Sequence, residues 1–202
     1  MKKKIITISR QFGSGGRGIG KLLADRLDIP FYDKELIELA SKESGIDERI
    51  FKSEGEETGR FYQVLGAIGY ALGSPAGGIY EYSINDQLYL VQANIIEQLA
   101  NEGPCVIVGR CADYVLEDRE DVLNIYLCAD MDERLRRVID EYHVEDADEA
   151  MLCKVDKRRS NYYQYNTDRV WGKAENYDLC INTGKFDTDA IIGMIVDAYR
   201  RS

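Results

Sequence analysis

Residues 5–24 read I-I-T-I-S-R-Q-F-G-S-G-G-R-G-I-G-K-L-L-A. The run Ile5-Ile6-Thr7-Ile8 is apolar and β-branched, which favours a strand. A loop containing Gly13, Gly15, Gly16 and Gly18 follows. Ile19, Leu22, Leu23 and Leu27 then recur at helical spacing. Strand, glycine loop and helix in that order predict the opening of a parallel α/β domain. In such a unit the loop amides and the helix N-terminus point into one concavity that favours anions. Glycine belongs there because a Cβ blocks either the turn or the close approach of a ligand.

Working outward, Ile29-Pro30-Phe31-Tyr32 reads as a second strand with Asp33 at its C-terminal end, and residues 34–44 read as a helix. Residues 45–85 are harder to place. A charged stretch, S-E-G-E-E-T-G-R at 53–60, precedes the apolar run Phe61 to Leu72, and the breakers Gly73-Ser74-Pro75-Ala76-Gly77-Gly78 close it. That pattern predicts a mobile insert or lid. Tyr82 to Asn101 reads as an amphipathic helix. Cys105-Val106-Ile107-Val108 is a strand of the type buried on both faces, and it delivers Gly109-Arg110. A further strand at Val122–Leu127 leads to Asp130-Met131-Asp132-Glu133, a capping box with Asp130 as N-cap, and to a helix bearing Arg134, Arg136 and Arg137. Asp146 to about Asn166 reads as a helix with Arg158 and Arg159, Tyr177–Asn182 as the last strand, and Thr188–Arg200 as a closing amphipathic helix. Alternating strands and helices imply a parallel sheet covered on both faces.

The bulk composition narrows the function classes. A chain of 202 residues with 45% hydrophobic content suits one domain with a small insert. Five scattered cysteines are expected to be reduced, as in the cytoplasm. No apolar run approaches the roughly 20 residues of a membrane span, and the apolar run after Met-Lys-Lys-Lys is too short for a signal sequence. A net charge of −10 argues against a general nucleic-acid binder while leaving room for local basic pockets. No His/Cys cluster has metal-ligand spacing, so no protein metal site is expected. His143, the sole histidine, reads as a surface or capping residue. Trp171, Tyr162, Tyr163 and Tyr165 suit packing more than base stacking, and Phe61–Leu72 offers a contact for a homo-oligomer.

Three readings of the loop stand side by side. Gly13-Ser14-Gly15-Gly16-Arg17-Gly18 matches G-x-G-x-x-G, with Asp33 where a ribose-binding acid belongs in a Rossmann unit, although Gly13 lies far from the strand for such a turn. Gly15 to Lys21 matches G-x-x-x-x-G-K of a P-loop, but Leu22 follows instead of Ser or Thr. A purely structural turn is the third reading.

The opening stretch through F-Y-D at 31–33, the later V-I-V-G-R, D-E-R-L-R-R, D-K-R-R-S-N-Y-Y and Y-D-L-C-I-N-T resemble, in order and spacing, the cytidylate kinase-like branch of P-loop nucleoside monophosphate kinases. The likeness spans nearly the whole chain and is weakest over 45–85. It implies a three-layer α/β/α fold with a parallel sheet and a helical lid or insert. It implies an acceptor-binding insert at 45–85 and a lid at 131–170. The implied activity is ATP-dependent phosphotransfer, with CMP or dCMP as leading acceptor and Mg2+ held mainly by the nucleotide phosphates. Gly13, Ser14, Gly15, Gly16, Arg17 and Gly18 would hold donor phosphates, and Asp33 and Arg110 the acceptor. Arg17, Arg134, Arg137, Arg158 and Arg159 would neutralise the transferring group. Against that family's loop, Gly16 stands in the lysine position, Gly18 in the threonine position, and Val108 in place of an acid before Gly-Arg. Arg17 is the expected stand-in for the lysine. The departures also motivate an alternative, a nucleotide- or anion-binding module without transfer activity.

Overall fold

The computed structural model describes residues 4–33, 35–44 and 84–201. Its elements, in chain order, are β1 (Ile5–Arg10), α1 (Gly16–Leu27), β2 (Phe31–Tyr32), α2 (Glu35–Ser44), α3 (Ile84–Glu102), β3 (Cys105–Val108), α4 (Ala112–Val115), β4 (Val122–Cys128), α5 (Met131–Asp140), α6 (Glu149–Thr167), β5 (Leu179–Asn182) and α7 (Thr188–Arg201). Two compact units divide the chain, Met1–Asp33 with Ile96–Ser202, and Lys34–Ile95. The predicted acceptor-binding insert at 45–85, with its Phe61–Leu72 contact, lies outside the described residues except for its last two.

In the larger unit the five strands form one parallel sheet in the order β2-β3-β1-β4-β5. Parallel strands buried on both faces need continuous apolar sequence. Ile5, Ile6 and Ile8 of β1 and all four residues of β3 meet that need, each at most 1% exposed. One core cluster joins Ile6, Ile8, Val106, Ile125 and Leu127 of the sheet to Ile19 and Leu23 of α1 and Ile191 and Ile195 of α7. Gly20 lets α1 close on the sheet, because a Cβ there would lie 3.0 Å from Phe31 and 3.2 Å from Ile8. Asp28, in the left-handed region at φ 54, ends α1 by donating its N–H to Ala24 and Asp25 carbonyls.

The strand order removes the dinucleotide reading. A Rossmann sheet runs 3-2-1-4-5-6, with its second strand beside the first. Here β3 lies beside β1 and β2 lies outside β3. The G-x-G-x-x-G match is therefore one of letters only. A second expectation also changes. Asp130 is the N-cap of α5, yet its side chain makes no cap hydrogen bond. Its carboxylate instead accepts from Asn182, at 3.1 Å, and from Lys185 after β5. Those two donors draw it away from the helix amides and tie the start of α5 to the end of β5. The sequence placed the start of α6 at Asp146, whereas Asp148 caps it by accepting from the Met151 N–H.

A buried polar contact fixes α6. Tyr163 donates its hydroxyl proton to Asp113 of α4 at 2.7 Å, and both residues are buried. Burial pushes the Asp113 carboxyl above its usual 3.8, opposed by the Tyr163 hydrogen bond. A carboxyl raised in the folded state stabilises most fully below the unfolded value and loses that contribution as pH rises through the folded value. Asp113→Asn keeps an oxygen acceptor for Tyr163 and cannot ionise. Its stability relative to wild type should therefore grow as pH rises above about 4 in denaturant titrations. Parallel profiles would contradict this. In the core, Leu23→Ala should cost about 2–5 kcal/mol in urea unfolding, and a loss below about 1 kcal/mol would contradict the packing described.

Candidate phosphate-binding site

The loop between β1 and α1 is shaped by where its carbonyls go. Arg10 O accepts from Arg159 Nη1 at 2.9 Å. Gln11 O accepts from the Ser14 hydroxyl at 2.9 Å, and Phe12 O from Arg134 Nε at 2.7 Å. Gly13 O accepts from Arg137 Nη1 at 2.8 Å, and Ser14 O from the Thr183 hydroxyl at 2.8 Å. Gly15 O accepts from the Ile19 N–H, the first bond of α1, at 3.0 Å. Six consecutive carbonyls are thus turned toward named donors. The amides of the first helical turn have no partner within α1. Gly13 at φ 80 and Gly15 at φ 77 make this path possible, since both lie in the left-handed region.

The helices α5 and α6 hold the loop from one side. Arg134 is only 4% exposed and pairs with Asp156, whose other oxygen accepts from the Phe12 N–H at 2.7 Å. Gly13 has no room for a side chain, because a Cβ would lie 2.8 Å from Arg134 O. The Arg137 guanidinium lies against Gly15, 3.5 Å from where a Cβ would stand. Arg159 stacks over the Phe12 ring at 5.6 Å. Near the start of α1, Tyr142 packs against Phe12 with ring centroids 6.1 Å apart.

On the other side, Asp33 at the end of β2 accepts from Arg17 Nε at 2.8 Å and Arg10 Nη2 at 3.4 Å. Burial, then the neighbouring Arg159, pull Arg10 from 12.5 down to about 9, with Asp33 opposing. Burial likewise lowers Arg159, with Asp156 and Asp33 opposing. Both guanidiniums stay charged at neutral pH, yet each is a crowded cation that an anion would relieve.

The structure thus brings Arg17, Asp33, Arg134, Arg137 and Arg159 around Gly13–Gly18. Arg110 follows Gly109 at the end of β3, at φ 58. Arg158 is half-buried on α6, about 100° around the helix from Arg159. Gly18 has open space beyond its α-carbon. Lys21 pairs with Asp25 at 2.6 Å and is largely exposed, which disposes of the Gly15–Lys21 frame. Trp171 packs edge-on against Tyr126 at 5.5 Å, and Tyr126 lies on Tyr177, so this aromatic set is a packing cluster. Sequence reasoning missed Arg10, Asp156 and Thr183. Asp156 and Thr183 stand at the edges of the D-K-R-R-S-N-Y-Y and Y-D-L-C-I-N-T stretches, but nothing in those stretches says that they hold the loop backbone. Arg10 had a signal, because it stands at the first glycine of the P-loop pattern once Gly15 is taken as the second. Among the described residues, no cluster of three or more His, Cys, Asp or Glu side chains is placed to hold a metal ion. No described helix is long and apolar enough to cross a membrane.

The fold recurs among known proteins. The chain is similar to an uncharacterized protein from Eubacterium ventriosum, with 29% identity over 99% of this chain and 100% of that one and a TM-score of 0.71. It shares its fold with the shikimate kinase of Acinetobacter baumannii in complex with shikimate, at 15% identity over 97% of this chain and 92% of that one, TM-score 0.53. It also shares it with a gluconokinase from Sinorhizobium meliloti, at 14% identity over 98% and 92%, TM-score 0.54. Among curated proteins it is 30% identical over 113 residues to a uronate isomerase of Corynebacterium glutamicum, a match covering 54% of this chain and 21% of that protein. The chain spans about a fifth of that relative's length. The cytidylate kinase-like family model matches residues 5–185. The fold is that of P-loop kinases, a parallel five-stranded sheet flanked by helices, and the chain belongs to the cytidylate kinase-like family.

Proposed function

We propose that the protein is an ATP-dependent phosphotransferase that acts on a small acceptor, with CMP or dCMP first among the candidates. The observation that carries this reading is the loop whose carbonyls from Arg10 to Gly15 are all taken by protein donors, so that it delivers the α1 N-terminus, with its helix amides, to a glycine-shaped concavity suited to phosphate oxygens. Family membership supports the kinase class and the leading acceptor.

In this reading Gly13, Ser14, Gly15, Gly16 and Gly18 lend backbone amides to the donor phosphates. Arg17 approaches from the outer turn of α1. Arg137 and Arg159, already against the loop, face the transferring group. Arg134 acts through the loop, since its guanidinium is committed to Phe12 and Asp156. Arg158 completes the lid set. Arg110 and Asp33, at the ends of β3 and β2, serve the acceptor at the crevice where α/β ligands bind. The acceptor oxygen forms a bond to the γ-phosphorus while the bond to the bridging oxygen breaks, and ADP leaves with that electron pair. The protein's part is position and charge. Gly18 has no hydroxyl and Asp33 already bridges two arginines, so the side chains at the loop offer magnesium little. Mg2+ fits here as part of the nucleotide complex, held by phosphates and waters.

A second reading is a nucleotide-binding module without transfer, favoured by glycine at both the lysine and the hydroxyl positions. ADP release is the discriminating measurement, with ATP and Mg2+ against a panel of nucleoside monophosphates and small hydroxyl acceptors. The first reading predicts release well above the ATP-only rate with CMP or dCMP. Nucleotide binding by calorimetry with no acceptor-dependent release establishes the second. Arg17 is 55% exposed, so Arg17→Ala should leave the melting temperature nearly unchanged. It should weaken ATP binding about tenfold, and unchanged affinity would remove Arg17 from the site.

A further inference from the structure

The loop departs from the P-loop pattern G-x-x-x-x-G-K twice, and the two departures are in contact. With Gly15 as the second glycine, the lysine position holds Gly16 and the first glycine position holds Arg10. A glycine stands where the cation belongs, and a cation stands where a glycine belongs. A Cβ on Gly16 would lie 2.7 Å from both Cβ and Cγ of Arg10. A Cβ on Gly109 would overlap Nη1 of the same guanidinium. The Arg10 stem therefore crosses the bare α-carbon of Gly16, and its head lies over Gly109. That position is at the C-terminal ends of the adjacent strands β1 and β3, where the ligand crevice of an α/β sheet opens. A lysine at 16 and the arginine at 10 exclude each other on steric grounds.

The other arginines at the loop are differently engaged. Arg134, Arg137 and Arg159 donate to loop carbonyls at 2.7–2.9 Å and so hold its shape. Arg17 is over half exposed, with its Nε on Asp33. Arg10 reaches Asp33 at 3.4 Å, a long contact for a charged pair, with its side chain 21% exposed. Guanidinium is also suited to two phosphate oxygens at once, which a lysine is not.

We propose that the phosphate-gripping cation of this P-loop is transposed from the first turn of the helix to the end of β1, and that Arg10 binds the β- or γ-phosphate of the donor. Gly16 and Gly109 are then the clearance for that side chain rather than losses of function. The inference rests on the reading of the loop as a donor-phosphate site and names the residue that supplies its central charge.

The test is calorimetry with inorganic tripolyphosphate and with Mg-ATP on wild type, Arg10→Ala, Arg10→Lys, Gly16→Lys and the double variant Arg10→Gly/Gly16→Lys, each checked for cooperative unfolding. Arg10→Ala should weaken tripolyphosphate binding by at least about tenfold, and Arg10→Lys by less. Gly16→Lys alone should also weaken it, through the clash, while the double variant should return affinity to within a few-fold of wild type. Should Arg10→Ala fail to fold, the double variant decides, recovery supporting the transposition and a folded double variant without binding overturning it. Wild-type affinity in Arg10→Ala overturns the assignment while leaving the kinase reading intact. Arg10-dependent tripolyphosphate binding without acceptor-dependent ADP release supports the assignment and removes the kinase reading. No binding of either probe by wild type overturns both.

Discussion

The structure depends on the outward capture of the loop carbonyls between Arg10 and Gly15. A glycine-rich loop is entropically costly to order, and glycine alone selects no single path among the many it permits. Here the path is selected by donors that arrive from far along the chain. Arg134, Arg137 and Arg159 come from α5 and α6, and Thr183 from the turn after β5. Two of these donors are largely buried guanidiniums, and charge-assisted hydrogen bonds of that kind contribute more than neutral ones. Gln11, Phe12 and Ser14 also donate their amides to protein acceptors, so what the loop path presents to an anion is the first turn of α1, whose amides have no acceptor within the helix.

The same arrangement makes α5 and α6 a scaffold for the loop. In a kinase lid, arginines are expected to close over the transferring group. In this chain one of them, Arg134, is a fixed strut with Asp156, and two others touch both the loop and the space beside it. Helices that scaffold the loop couple the shape of the candidate phosphate site to their own placement. The expected roles of Arg134 and Arg137 are thereby separated, although they lie only three residues apart on α5.

Much of the fold was legible because parallel strands leave a strong sequence trace. The apolar runs at 5–8, 105–108 and 122–127 correspond to β1, β3 and β4, and the glycine loop between β1 and α1 lies where the spacing placed it. The topology was less legible. Nothing local to β2 says that it pairs with β3 rather than β1, so a Rossmann match at Gly13–Gly18 remained open until the strand order was seen. The capping box at Asp130 failed for a similar reason, since Lys185 and Asn182, more than fifty positions away, compete for its carboxylate. In the site, the motif-bearing glycines and Arg17 could be named, but Asp156 and Thr183 act through backbone contacts that no spacing rule encodes. Arg10 was hidden because it closes the β1 strand run, six places before the missing lysine, and a strand-end arginine carries no phosphate signal of its own.

The central claim is that the amides from Gly13 to Gly18, ringed by these arginines, form an anion cradle. The most direct measurement is a nuclear magnetic resonance titration of the uniformly nitrogen-labelled protein with tripolyphosphate, followed residue by residue. The account predicts large, saturable shifts at the Gly15, Gly16 and Arg17 amides and at the Arg10 guanidinium. Shifts confined to other parts of the chain, with these resonances unmoved at saturation, would contradict it.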